Sequence, residues 1–207
     1  MKRRPGLGFV FSAALSVTAL GACRPAHAPA SDPRAGDAAS ADAAPALLGS
    51  VPASLAEQAC SPSGPELCFN ATDDNCNGII DEGCGLHTGL VQFAVAWDEA
   101  RADVDLRVFD PNGELVEVGR QARSGLVKER DCPGRNNECH GQNLENVYLG
   151  DGDPVRGEYR VRIRLEALGG ENPPVRVAFG ARVGPKTYTI AVSLDAPEAE
   201  QELVFRL

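Results

Sequence analysis

The sequence predicts a mainly β protein: an antiparallel β-sandwich, preceded by a small disulfide-stapled Cys-rich module and a disordered tether. Three observations carry this. From residue 86 onward, apolar and polar residues alternate in short runs, the period-two signature of half-buried strands. Six cysteines follow residue 59 in a chain that opens with an export-type leader, and an even number in an oxidising compartment reads as disulfides. Residues 23–59 are rich in Ala and Pro and hold too little apolar surface to offset the entropy of ordering.

Residues 1–22 form the leader. "MKRR" is a basic n-region and "LGFVFSAALSVTAL" an apolar h-region too short for a comfortable membrane span. "LGAC", Leu20 to Cys23, resembles the lipobox of bacterial lipoproteins. That resemblance implies cleavage before Cys23, lipidation of Cys23 and attachment to a membrane of the cell envelope. A soluble secreted protein with an incidental cysteine is the alternative. No later stretch is long and apolar enough to span, so the N-terminal lipid would be the anchor. Losing Lys2, Arg3 and Arg4 with the leader takes the formal charge from −9 to −12. A chain this acidic is poorly suited to nucleic acid or to an anionic lipid surface. The stretch at 23–59 would let a folded head stand off the membrane.

Residues 60–85 form the Cys-rich module. If lipid takes Cys23, six of the seven cysteines remain: Cys60, Cys68, Cys76, Cys84, Cys132 and Cys139. Cys132 and Cys139 are expected to close on each other, and the other four to staple the module in a pairing the spacing leaves open. Residues 86–207 then supply about eight strands. "GLVQFAVAW" is the first. "DVDLRVFD" puts Val104, Leu106 and Val108 on one face and Asp103, Asp105 and Arg107 on the other. "DPNG" turns the chain and "ELVEV" is expected to return as a strand. A long loop, 119–142, carries Cys132 and Cys139. "LENVYL", "YRVRIRL", "VRVAFGARV", "TYTIAVSL" and "ELVFRL" complete the set, with Arg160, Arg162 and Arg164 facing outward.

The stretch "DDNCNGIIDEGC" fits the calcium-loop template D-x-[DN]-x-[DN]-G. Asp73, Asn75 and Asn77 take positions 1, 3 and 5, Gly78 the sharp turn, Ile79 the carbonyl position, and Asp81 position 9. A hard cation needs six to eight oxygens at roughly 2.3–2.6 Å, which alternate side chains and one carbonyl can supply. Position 12 is Cys84, so a standard helix-loop-helix calcium hand is excluded, and Glu82 is the nearest substitute.

"ELCFNATDDNCNGIIDEGC" resembles the Cys-rich metal-binding repeat of the MopE type found in exported bacterial proteins. The match spans residues 66–84, with "CFNAT" in place of the usual C-N-G and Asn75 and Asn77 where Asp is usual. It implies a structural calcium ion, with affinity weakened by the two missing charges to roughly 10⁻⁴–10⁻³ M. A disulfide knot without metal and a thiolate zinc site are the alternatives.

Asp103 and Asp105 share a strand face about 7 Å apart. They could hold a second cation with help from Asp110, Glu145 or Asn146, or pair with Arg160, Arg162 and Arg164. "WDEARADVDLRVFDPNGELV", with "NLENVYL" and "GEYRVRI" further on, resembles the start and strands of the bacterial YfaP-like domain of unknown function. Arg107 stands where that family has His, and Leu144 where it has Pro. The resemblance implies a β-sandwich accessory domain over residues 89–207 and no known reaction. His87 is expected to be simply exposed and Trp97 to cap the core.

These features together suggest a non-enzymatic, lipid-anchored envelope protein whose sandwich contacts an envelope or extracellular protein or polysaccharide. Two other classes compete. One is a metal-dependent hydrolase using Asp103, Asp105 and His140. The other is a structural spacer without ligand.

Overall fold

The computed structural model describes residues 60–133, 139 and 141–207. The leader, Cys23 and the tether lie outside the described residues, as does His140. Eight strands follow in order: β1 (Val91–Trp97), β2 (Asp103–Phe109), β3 (Leu126–Lys128), β4 (Leu144–Leu149), β5 (Glu158–Ala167), β6 (Val175–Val183), β7 (Lys186–Leu194) and β8 (Glu200–Arg206). They form a five-stranded sheet, β3-β4-β1-β6-β7, and a three-stranded sheet, β2-β5-β8, with every pairing antiparallel. The expected antiparallel β-sandwich is what the chain forms.

The core lies between the sheets. Val104, Leu106 and Val108 of β2 and Tyr159, Val161, Ile163 and Leu165 of β5 enter it, as the alternation requires. Phe93 of β1 sits at its centre, with the rings of Phe205, Tyr159 and Phe179 at 5.4, 6.1 and 6.4 Å. These tilted and offset contacts are the arrangement ring quadrupoles favour. Trp97 closes the end of β1, buried, its indole N–H donating to the Ala102 carbonyl at 3.0 Å.

β1 is buried on both faces. Val91, Phe93, Val95 and Trp97 point into the core. Ala94 and Ala96 point the other way and join Leu144, Ala71 and Ile80 in a second apolar cluster. The Cys-rich module therefore lies on the outer face of the larger sheet. That face is built from small residues where the module touches it: Ala94 pairs with Gly180, and Ala96 with Ala178. Gly180 has no room for a side chain, since a Cβ there would sit 2.2 Å from the Ala71 carbonyl oxygen. Gln92 adds a polar tie, its amide donating to the Ile80 carbonyl at 3.3 Å and to Asn146 Oδ1 at 3.2 Å.

All six cysteines pair: Cys60–Cys76, Cys68–Cys84 and Cys132–Cys139. The closure of Cys132 on Cys139 was expected. The pairing within the module, which the spacing leaves open, is an interlaced one.

Two strand expectations change. "ELVEV" is not a strand, although Val116 donates to the Val108 carbonyl at 2.9 Å and Leu115 bridges Phe109. Asp110 holds this segment instead, its Oδ1 accepting the N–H groups of Asn112 and Glu114, both at 2.8 Å. The carboxylate takes donors that a ladder would need, so the segment stays a turn with isolated bridges. The supposed long loop contains β3, which pairs with β4 from Leu126 opposite Leu149 to Lys128 opposite Val147. On the outer face of the smaller sheet, Arg162 pairs with Glu202 at 2.6 Å and Arg164 with Glu166 at 3.1 Å. Asp105 pairs with Arg107 of its own strand at 3.1 Å. The expected pairing of Asp103 and Asp105 with the β5 arginines is thus displaced, because glutamates of β5 and β8 lie closer to those guanidinium groups.

Gly180→Ala should force the module off the sheet and lower stability by roughly 1–3 kcal/mol, the usual cost of overpacking. Chemical denaturation of the oxidised protein checks this, and an unchanged midpoint would mean the module is not seated there.

Candidate functional site

Few apolar side chains exist in the module, so its backbone donors must find acceptors other than a ladder. Acidic and amide side chains supply them. Asp73, buried, accepts the N–H of Asn77 at 3.1 Å through Oδ1 and that of Gly78 at 2.8 Å through Oδ2. Asn75 Oδ1 accepts the same Asn77 N–H at 3.0 Å, and Asn77 Oδ1 accepts the N–H of Ile79 at 2.9 Å. The chain from 73 to 79 is thereby wound around the three side chains at positions 1, 3 and 5. Gly78 makes the sharp turn at φ 87°, a left-handed conformation that favours glycine.

Glu82 completes the group. The Asn75 side-chain amide reaches its Oε1 at 2.5 Å, and the Asn77 amide contacts the same oxygen. Its Oε2 is buried without a hydrogen-bond partner among the described residues. Asp73 and Glu82 carry two carboxylate oxygens each and Asn75 and Asn77 one amide oxygen each, six in all. That meets the lower limit of a calcium shell. An orphaned carboxylate oxygen beside two amides fits a hard cation and does not fit a soft one. No thiolate is left for zinc, because each of the six cysteines is in a disulfide.

Asp81 is placed differently from the others. Its carboxylate, fully buried, accepts the N–H groups of Asn70 at 3.1 Å and Ala71 at 3.0 Å. Phe69 and Ala71 there have φ of 67° and 56°. Successive N–H groups in such a turn form a small anion nest, and Asp81 is its anion. Burial raises its pKa against those hydrogen bonds. Glu66, which the motif does not single out, accepts the N–H of Asp81 at 2.8 Å, of Asp74 at 3.1 Å and of Asn75 at 3.4 Å. The available signal was an acid two residues before Cys68 in a segment lacking a ladder. Burial also raises the Glu66 pKa, and the neighbouring Glu82 charge adds to this.

At the other candidate site, one carboxylate oxygen each from Asp105, Asp131 and Glu145 lie within 4.8 Å of one another. The cation there is internal. The Lys128 ammonium lies 2.8 Å from Glu145 Oε2 and 2.9 Å from Asp131 Oδ1. Glu145 is fully buried; its Oε2 also accepts the Leu106 N–H at 2.7 Å and its Oε1 the Cys132 N–H at 3.0 Å. Burial pushes the Glu145 pKa up to about 8, against the pull of Lys128. Burial alone would depress Lys128, but the Glu145 charge outweighs it and the pKa is raised. Asp103 lies beside this cluster, its pKa raised by burial and by the Asp105 charge. Of the other expected helpers, Asp110 is engaged in its turn. Asn146 bonds on the opposite side of β4, to the His87 carbonyl at 2.8 Å and Glu129 Oε2 at 2.9 Å. His87 is not simply exposed: its ring pairs with Glu129 at 2.9 Å and stacks on Tyr148 at 5.0 Å.

Comparison of the chain with family models, curated proteins and solved structures returns no match.

A carboxyl whose pKa is raised on folding holds its proton more tightly in the folded state. Its contribution is present below about pH 4.5 and is lost as pH rises through about 8. Glu145→Gln should flatten the fall in stability across that window. Lys128→Met should extend the fall to higher pH, because the ammonium that restrains the carboxyl is gone. Urea unfolding at a series of pH values reads both.

Proposed function

We propose that the chain is a lipid-anchored exported protein of the bacterial envelope. Its Cys-rich module holds a structural calcium ion, and its β-sandwich serves as an interaction domain for an envelope or extracellular protein or polysaccharide. The observation that carries the calcium reading is the convergence of Asp73, Asn75, Asn77 and Glu82, with Glu82 Oε2 buried and unpartnered. Calcium bound there would offset the repulsion between the two carboxylates. Asp73 would tie it to the turn at Gly78, and Glu82 would take the part that Cys84, locked to Cys68, has no means to play. Asp81 and Glu66 would act behind the site by fixing the backbone that carries it. Three disulfides support export, since such bonds persist in oxidising compartments. The leader and the "LGAC" sequence support lipid attachment at Cys23.

Calorimetry on oxidised residues 24–207, beside an Asp73→Ala/Asn77→Ala variant, tests the site. Binding at roughly 10⁻⁴–10⁻³ M is expected, and it should vanish in the variant. No binding by either protein would make the module a disulfide knot alone. Binding retained by the variant would move the site to Asp103 and Asp105. Calcium at a hundredfold excess over its Kd should also raise stability by about 2.7 kcal/mol, reversed by chelator.

A further inference from the structure

An open sheet edge is a row of unpaired backbone groups, and most proteins blunt it. Three of the four edges here are blunted. β3 is only three residues long. β2 has its Leu106 N–H taken by the Glu145 carboxylate. β8 carries Glu200 and Glu202. β7, at the far side of the larger sheet, has none of these devices. It runs nine residues and pairs with β6 without a register shift. From Thr187 to Leu194 it contains no charge, no Pro and no Gly. Its inward residues Tyr188, Ile190 and Val192 are 7%, 7% and 8% exposed, the most solvent left on any apolar side chain of the core. The core is thinly covered along this one edge.

We propose that β7 pairs antiparallel with β7 of a second copy, about a two-fold axis through Ile190, joining the two larger sheets into one. Only registers that keep buried residues opposite buried residues are open to it, because a one-residue slip would invert the faces. Centring on Ile190 sets Thr187 opposite Ser193 and Thr189 opposite Ala191, small side chains across from small ones. It also brings the Lys186 end of one strand to the end of the other that leads into Asp195, so opposite charges meet at both ends of the ribbon. An isologous pairing of this kind closes on itself and exposes no further edge of the same type. It is independent of calcium and of the loop at 73–82.

Sedimentation of the oxidised full chain, in density-matched detergent over a range of concentrations, reads the association. A monomer–dimer equilibrium is expected. Thr189→Lys/Ala191→Lys sets like charges opposite each other twice across the axis and should weaken the dimer roughly tenfold or more. Thr189→Lys/Ala191→Glu sets opposite charges there and should keep the dimer, now salt-sensitive. Position 189 and position 191 are both exposed, so either variant should retain the monomer fold, which circular dichroism and thermal unfolding confirm. Three results would overturn the pairing. One is a monomer at every concentration, as when the chain's own N-terminal segment or another protein's strand occupies the edge. Another is a double-lysine variant as tightly dimeric as the original. The last is equal loss in both variants, which would reject the register.

Discussion

The carboxylate of Glu145 holds together parts of the chain that no ladder connects. It belongs to β4 of the larger sheet, accepts a backbone N–H from β2 of the smaller one, takes the Lys128 ammonium of β3, and receives the N–H of Cys132 at the start of the disulfide loop. A charged group placed inside a core is costly unless every lone pair is engaged. Here three donors engage two oxygens. The two sheets are therefore fixed relative to each other at one edge by directional bonds, where apolar packing alone would set only their spacing. The same group keeps β2 from offering its edge to another chain.

The second dependence runs outward from β1. A central strand in a two-sheet protein commonly has one wet face, but here that face is covered by a module with almost no core of its own. Ile80 and Ala71 are nearly all the apolar surface the module has to bury, and they bury it against alanines, a glycine and Leu144. The two crossing disulfides restrict the module's unfolded states, and the sheet supplies the platform. Its acids are spent in two ways. Asp81, Glu66 and Asp74 serve the backbone of the module itself, while Asp73 and Glu82 are gathered with two amides around a common point.

Strands β2 and β5 were legible because a period of two survives wherever one face is wet. The seven-residue burial of β1 was legible only as an apolar strand; nothing in "VQFAVAW" says that Ala94 and Ala96 are small to admit the module. β3 was missed because three residues carry no period, and "ELVEV" was overcalled because its alternation is real but Asp110 claims its N–H groups. At the candidate site, Asp73, Asn75, Asn77 and Glu82 were readable from spacing, which encodes a winding loop directly. The separate fate of Asp81 was not, since its partners at 70 and 71 come from a turn that only left-handed residues make possible. Lys128 was invisible as the cation beside Asp105 and Glu145, because the pairing of β3 with β4 that delivers it had no sequence signal.

The interlaced bonds Cys60–Cys76 and Cys68–Cys84 also set how tension would travel. A pull on the chain ahead of Cys60 reaches a covalent staple at the first described residue. The crossing of the two loops keeps residues 60–84 from paying out as slack, so the load passes to the broad contact on β1 as shear across a face. Strands that are sheared resist longer than strands peeled one bond at a time. A module with so little core can in this way act as a mechanical clamp between a flexible leader and a rigid head.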